Sequence, residues 1–419
     1  MLVRRAQLAA APWSRAKRPG GATLAGVASM STAVPSRLRF VQVNAFADRP
    51  FGGNPAAVFL VPPPLHAAVH PEGGGSCLYQ RAGRRGPVWS VGDGIMQKIA
   101  AEMKLSETAF VTPADAACSF SESQRFLLRW FTPTKEVDLC GHATLAAAAA
   151  LTLECGNAAA VCSFDTRSGT LTATRNGTNR FELELPANHA MPSPDTGAAH
   201  HHTIARMAVG EHADAIAQLA YSPATKKLVV RMDPTRFSRT DLEAMDVPAV
   251  DKMMAVSQSA EFSVTGVMVT LREDQGRYHF ISRYFAPWNG IPEVTRSPLL
   301  LLSLHSWWIH SRSPSLALAR HSTHDSCHDD SPQPTLDGGP ETMSLCKQDP
   351  VTGAAHSVLA PFWLRELGLA WEPGLQLTAR QCSPRGGDMV ITLVDDEGKR
   401  LKVEGTALVL MDGTLRLRQ

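Results

Sequence analysis

Two stretches of this sequence decide the expected fold: Arg129-Trp-Phe-Thr-Pro133 followed by Cys140-Gly-His-Ala-Thr144, and Arg283-Tyr-Phe-Ala-Pro287 followed by Val351-Thr-Gly-Ala-Ala-His356. In each, an aromatic strand leads to a glycine-containing turn and then to an apolar helix, predicted over 145–153 in the first copy and over 357–367 in the second. A further pair matches downstream, Thr166-Arg-Ser-Gly169 and Ser383-Pro-Arg-Gly-Gly387. Two copies of one supersecondary unit predict two pseudo-symmetric lobes.

The length of the chain agrees with this organisation. A sequence of 419 residues exceeds what one ordinary hydrophobic core serves. We therefore predict a leader over 1–37, an N-terminal lobe over 38–190 and a C-terminal lobe over 191–419, with a last strand that can return to the N-terminal lobe.

The composition excludes several classes of partner. Lys and Arg number 41 against 39 Asp and Glu, and no basic run interleaves with aromatic residues, which disfavours nucleic acid. The longest apolar stretch, 299–309, is interrupted by His305 and Ser306 and is too short to span a bilayer. We expect a small-molecule substrate, with no nucleic acid and no membrane.

Cysteine usage and the first residues bear on the compartment. The 8 cysteines form no CxxC pair, which indicates reduced thiols inside the cell. The first acidic residue is Asp48, and the residues before it are rich in Ala, Ser and basic side chains, namely Arg4, Arg5, Arg15, Lys17, Arg18, Arg37 and Arg39. This composition is typical of a plastid or mitochondrial transit peptide. The alternative is that Met30 begins the mature chain.

Each glycine turn opens a helix, where unpaired backbone N–H groups and the helix dipole favour negative charge. Two such ends facing each other would hold a carboxylate substrate, with Gly141 and Gly353 in its pocket. Three titratable side chains lie near these turns. Glu107 precedes the apolar Ala109-Phe-Val111, which could desolvate a general base; His142 lies in the first turn, and Asp349 comes just before the second.

Each of these three residues also has a purely structural interpretation. Ser106-Glu-Thr108 could be a solvated strand start, His142 could cap its helix, and Asp349 before Pro350 could be a turn residue. The catalytic interpretation depends on their positions within the repeat.

At these residues the sequence resembles the PhzF-like family of phenazine-biosynthesis isomerases. The resemblance covers nearly the whole chain from Phe40 onward. Five motifs carry it, in the family's order: Val43-Asn-Ala-Phe46 with Gly53-Asn-Pro55, Ala101-Glu-Met-Lys-Leu-Ser-Glu-Thr-Ala-Phe110, Cys140-Gly-His-Ala-Thr144, Arg283-Tyr-Phe-Ala-Pro287 with Gly290-Ile291, and Asp349-Pro-Val-Thr-Gly353.

The resemblance implies a fold of the α/β (α+β) class like that of diaminopimelate epimerase, in which each of two pseudo-symmetric lobes wraps a mostly antiparallel sheet around a central helix. It implies a biosynthetic, cytoplasmic isomerase without metal or organic cofactor, and it leaves a homodimer open. Glu107 would move a proton between substrate carbons, assisted by His142 and Asp349. Asn54, Gly141, Gly353 and Ala354 would bind substrate, although Ala354 stands where the family usually has a serine.

Two other functions stay open. A two-base racemase or epimerase needs a thiol on each side of the abstracted proton; Cys140 could serve as one, but Thr352 occupies the matching place. A binding protein that keeps the cleft without turnover is the other. A metal site is disfavoured, because the candidate ligands lie in one unpatterned segment: His321, His324, Cys327 and His328, near Asp325, Asp329 and Asp330.

That segment belongs to a predicted insertion. Gly141 follows Pro133 by 8 positions, whereas Gly353 follows Pro287 by 66. Removing 294–348 joins Glu293 to Asp349 and restores the Glu-Asp-Pro-Val-Thr-Gly run of the family. Val codons begin with GT and Gln348 can be encoded by CAG, as at the ends of an intron. We therefore predict a retained intron, the alternative being a long surface loop.

Overall fold

The computed structural model describes one compact unit within Val34–Gln419. The described residues are 35–63, 80–81, 84–85, 89–193, 195–245, 253, 256, 263–273, 276–289 and 350–417. The predicted leader up to residue 34, the predicted insertion 294–348 and Asp349 lie outside them. Among the described residues, no helix is long and apolar enough to cross a membrane.

The first lobe is built from strands that surround one helix. The helices are α1 (Asp93–Met103) and α2 (Gly141–Glu154). The strands are β1 (Arg37–Ala45), β2 (Asn54–Leu60), β5 (Glu107–Pro113), β6 (Arg125–Phe131), the short β7 (Glu136–Val137), β8 (Val161–Thr166), β9 (Gly169–Arg175) and β10 (Arg180–Pro186); a separate two-residue pair is formed by β3 (Gln80–Arg81) and β4 (Arg84–Arg85).

The second lobe repeats this order. Its helices are α3 (Asp195–Val209), α4 (Arg239–Ala244) and α5 (Gly353–Glu366), with 3-10 turns at Gly210–Ala215 and Pro287–Asn289. Its strands are β11 (Met191–Pro192), β12 (Ile216–Ser222), β13 (Lys227–Met232), β14 (Gly266–Arg272), β15 (Phe280–Phe285), β16 (Gln376–Gln381), β17 (Gly387–Leu393) and β18 (Arg400–Arg416).

The long last strand joins the lobes. The first part of β18 lies between β10 and β17, and its second part pairs antiparallel with β1 from Ala45–Ala407 to Arg37–Arg416. Because β1 also pairs with β2, the strands of the first lobe close into a ring in the order β1-β2-β5-β6-β8-β9-β10-β18. The second lobe runs from β18 through β17, β16, β15, β14, β13 and β12 to β11.

Each lobe encloses one central helix, and the two helices are packed differently. Residues 141–152 of α2 are all buried, and its run Ala146–Ala150 keeps side chains small on every side of the helix. In α5 the enclosed residues include the large Phe362 and Trp363. A helix buried all round has no polar face, so its ends are where polar chemistry can occur.

The strand register aligns the two lobes residue by residue. Phe131 on β6 pairs with Thr108 on β5, and Phe285, its repeat counterpart on β15, pairs with Val267 on β14. The parallel contacts β2–β5 and β13–β14 recur, as do β6–β8 and β15–β16. The fold class and the repeat predicted from the sequence are therefore confirmed. Both central helices begin at the motif glycine itself, four residues before the predicted starts.

Candidate active site

Glu107 begins β5, a strand that is buried along its full length. The parallel pairing of β2 with β5 sets Ala56 beside Glu107, so Asn54, the first residue of β2, lies at the same edge. Asn54 is fully buried and Glu107 is only 6% exposed. The alternative of a solvated strand start is therefore wrong for this carboxylate.

The starts of the two central helices meet at this edge. A Cβ built on Gly141 would lie 3.7 Å from Cα of Gly353 and 3.7 Å from the backbone nitrogen of Ala354. Neither Cys140 nor Thr352, the residues that precede the two glycines, caps its helix with a side-chain hydrogen bond. Two positive helix ends thus concentrate in one place, which favours a negatively charged ligand there.

A chain of hydrogen bonds crosses the site from the second lobe to the first. The Asn54 amide nitrogen donates to the carbonyl oxygen of Val351 at 2.8 Å, so its Oδ1 accepts from the hydroxyl of Ser106 at 3.1 Å. Ser106 Oγ also lies 3.3 Å from Nε2 of His142. Because the one hydroxyl proton points to Asn54, Ser106 can only accept from the imidazole. His142 therefore carries its proton on Nε2.

His142 lies between the carboxylate and the thiol. Its Nε2 is 3.4 Å from Oε2 of Glu107, and its Nδ1 is 3.4 Å from Sγ of Cys140. Burial lowers the pKa of His142 to about 3, so the imidazole is neutral at physiological pH. With the proton on Nε2, the Nδ1 lone pair faces Cys140, and the thiol donates to it.

The second lobe places uncharged groups at the corresponding positions. Thr352 corresponds to Cys140, and its buried hydroxyl has no hydrogen-bond partner among the described residues, while its backbone N–H donates to Oε1 of Gln381 at 2.9 Å. Ala354 corresponds to His142 and brings only its backbone to the site. The register aligns Gly266 with Glu107, and the ring of Tyr284 occupies the space that a Cβ at Gly266 would need.

The turn Ser383–Gly387 is hydrogen-bonded to the loop that precedes Asn54. Arg385 donates from Nε to the carbonyl of Gly53 at 2.8 Å and from Nη2 to that of Gly52 at 3.0 Å. The N–H of Gly53 donates to the carbonyl of Gly386 at 2.8 Å. This turn from the second lobe therefore fixes the position of a first-lobe residue in the site.

The structure brings together six of the seven residues predicted from the sequence: Asn54, Glu107, Gly141, His142, Gly353 and Ala354. Sequence reasoning missed Ser106 and Gln381, and it weighed Cys140 and Thr352 only as the two matching positions of a two-base racemase. The one signal for Ser106 is its place beside Glu107 at a strand start. Among the described residues, one group offers metal-ligating atoms within 4.8 Å of one another, namely Glu107, Cys140 and His142.

The fold and this site define a two-lobed protein with one buried carboxylate at the meeting point of two helix starts. The sequence matches the family described as phenazine biosynthesis-like protein over residues 43–297 and 345–413, which is most of the chain. This chain belongs to that family.

Two relatives illustrate the extent of the sequence similarity. The human phenazine biosynthesis-like domain-containing protein is 32% identical over 376 residues, covering 89% of this chain and 96% of the relative. A Pseudomonas aeruginosa protein named an uncharacterized isomerase is 30% identical, covering 91% of this chain and 99% of the relative.

Solved structures agree on the fold. A PhzF-family protein of Bacillus anthracis superposes with a TM-score of 0.59 at 16% identity, covering 91% of this chain and 99% of that one. One from Enterococcus faecalis gives 0.57 at 24% identity, covering 91% and 100%. Identities this low show shared architecture alone.

Proposed function

We propose that this chain is a PhzF-like, cofactor-independent isomerase that moves a proton within a small carboxylic-acid metabolite, with Glu107 as the single base. The observation that carries the proposal is the asymmetry between the lobes. Glu107, His142 and Cys140 correspond to Gly266, Ala354 and Thr352, so these positions supply ionisable side chains from one lobe only.

The substrate class follows from the helix starts. The first N–H groups of α2 and α5 lack partners within their helices, and they converge where Gly141 meets Gly353. A carboxylate held there would be stabilised, as would the negative charge that develops beside it when a neighbouring C–H is deprotonated. The hydroxyl of Thr352, which makes no hydrogen bond within the described part of the chain, offers one more donor at this place.

The role of each residue in the proposed reaction follows from its contacts. Glu107 takes a proton from one substrate carbon and returns it to another on the same face. Neutral His142, with its proton on Nε2, can donate toward the Glu107 carboxylate and hold its orientation. Asp349, which lies outside the described residues, remains a proposed assisting group by resemblance.

Deuterium uptake from D2O into a panel of small unsaturated and α-amino carboxylic acids tests this function. Glu107→Gln keeps the side-chain size and removes the base, so uptake should fall at least about 100-fold. The exposed Glu102 on α1 provides the matched control, and Glu102→Gln should exchange normally.

The outcomes separate the alternatives. Near-normal exchange in Glu107→Gln contradicts the assignment of the base. Exchange with inversion at one centre supports the two-base racemase or epimerase, and tight binding of an acid without any exchange supports the binding protein.

A further inference from the structure

Three side chains of the kind that bind transition metals converge at the start of α2. Glu107, Cys140 and His142 each offer one ligand atom within 4.8 Å of the others, and all three residues are buried. Carboxylate, thiolate and imidazole are all ligands of zinc, and three protein ligands with a fourth position left open is the arrangement of an accessible zinc centre.

The separation of the thiol and the imidazole already fits an ion. Zinc–sulfur and zinc–nitrogen bonds of about 2.3 and 2.0–2.1 Å at a tetrahedral angle put the two ligand atoms about 3.6 Å apart. Cys140 Sγ and His142 Nδ1 are 3.4 Å apart. Glu107 offers a carboxylate oxygen within 4.8 Å of the ligand atoms of the other two residues.

The outer contacts of His142 orient it for this role. A metal-binding imidazole normally donates its other N–H to a fixed acceptor, which sets the tautomer. Here Ser106 accepts from Nε2–H, and Ser106 is itself fixed by Asn54. The Nδ1 lone pair is thereby directed at Cys140 before any ion arrives.

The charge balance decides whether a cation is tolerated beside two helix starts. Each helix end carries roughly half a positive charge, so the two ends sum to about one. The ionised carboxylate of Glu107 and the ionised thiolate of Cys140 bring two negative charges. The pocket of the metal-binding form is therefore net negative before the ion enters.

We infer that Glu107, Cys140 and His142 form a binding site for a soft divalent cation such as Zn²⁺, bound through Oε, Sγ and Nδ1. The thiol proton leaves to solvent as the Zn–S bond forms. The ion is an inhibitor and not a cofactor, since it occupies the proposed base; that consequence rests on the proposed function, whereas the binding itself does not.

Cobalt(II) added to the full-length chain tests the site without any turnover. The expected result is a thiolate-to-cobalt charge-transfer band with tetrahedral d–d bands, displaced by one equivalent of Zn²⁺, and about one proton released per ion in weak buffer. Cys140→Ser should lose the band. Ser106→Ala, which removes the hydroxyl that accepts from Nε2–H and orients the ring, should weaken the affinity about 10-fold.

Cys162→Ser is the matched control, because Cys162 is a buried thiol of the same lobe and lies outside this cluster. It should keep the band unchanged. A band that survives Cys140→Ser, or that disappears in Cys327→Ser, overturns the inference, and so does the absence of any charge-transfer band in the folded wild-type chain. Deuterium exchange failing while cobalt still binds would overturn the proposed function alone.

Discussion

Asn54 belongs to the first lobe, yet its amide bonds to the backbone of the second. The donation to Val351 fixes which way the amide points, and that orientation presents the acceptor Oδ1 to the hydroxyl of Ser106. The protonation pattern of the His142 ring, 3.3 Å further on, thus depends on a carbonyl of the other lobe. At this scale the contact between the lobes is part of the site's chemistry.

Replacing Asn54 should change the tautomer of His142. Asn54→Ala removes the acceptor of the Ser106 proton, which can then donate to Nε2 and move the imidazole proton to Nδ1. Nitrogen-15 NMR of the imidazole should show Nε2 protonated in the wild-type protein and Nδ1 protonated in the variant. Ser106→Ala provides the control, because no hydroxyl then competes for Nε2 and its N–H faces Oε2 of Glu107, 3.4 Å away, so the proton should stay on Nε2. An unchanged tautomer in Asn54→Ala contradicts the hydrogen-bond directions derived above.

His356 shows how a central helix is tied to its own start. Its Nδ1–H donates to the carbonyl of Thr352 at 2.8 Å and its ring stacks on Phe280, while its buried Nε2 has no partner among the residues that the structure describes. In the first lobe, Thr144 makes the corresponding bond to the carbonyl of Cys140 at 2.6 Å. The same backbone group is therefore satisfied in both lobes, by a titratable side chain in one and a hydroxyl in the other.

The burial of the His356 ring predicts that the folded chain loses stability at acid pH. Burial lowers the pKa of His356 from 6.5 to about 4, so the unfolded chain binds this proton more readily than the folded one. The contribution of His356 to the free energy of unfolding is then fully present above about pH 6.5. It falls by about 1.4 kcal/mol per pH unit as the pH is lowered toward 4. His356→Gln keeps a donor and cannot titrate, so urea unfolding across this pH range should show a shallower slope. Substituting the exposed His202 should leave the slope unchanged; equal slopes in His356→Gln and wild type would contradict the prediction.

The helices and strands that could be predicted from the sequence are those with a periodic pattern in their own residues. The strands near Phe46, Phe131 and Phe285 and the two central helices carry periodic patterns, and the repeat adds their arrangement. The contacts of Ser106 and Gln381 have no such signal, because they depend on strand register and on the approach of two lobes. Cys140 and His142 are two residues apart in the sequence, but their ring-to-thiol contact depends on where the helix begins.

At the scale of the molecule, the last strand completes the first lobe. β18 pairs with β10 through residues 400–406 and with β1 through residues 407–416, so it closes the ring of strands that begins at residues 37–45. The same strand continues into the sheet of the second lobe. The two lobes therefore share one continuous strand.

The connections that precede the two central helices differ in length, although the two lobes share the same architecture. Nine residues, 132–140, join β6 to α2, whereas 67 residues, 286–352, separate β15 from α5. The match to the family is interrupted between 297 and 345, inside the predicted insertion 294–348. These observations support the proposal that the segment is not part of the working fold, whose second connection would then need 12 residues.

Deleting 294–348 should therefore leave a chain that folds with both central helices in place. Shortening a connection from 67 to 12 residues lowers the entropic free-energy cost of closing it by about 1.5 kcal/mol at most. The deletion variant should therefore unfold at an equal or slightly higher denaturant concentration. Circular dichroism and urea unfolding measure this, and cobalt binding at Cys140 reports whether the site still assembles. A variant lacking only 298–344 controls for the choice of boundaries.

Transcript sequencing across Glu293 and Asp349 addresses the intron directly, since a retained intron predicts a spliced form in which these codons are adjacent. If every transcript keeps the segment, and if both deletion variants fail to fold while the full chain folds, the insertion is a genuine part of the protein, because closure entropy alone could not account for such a loss.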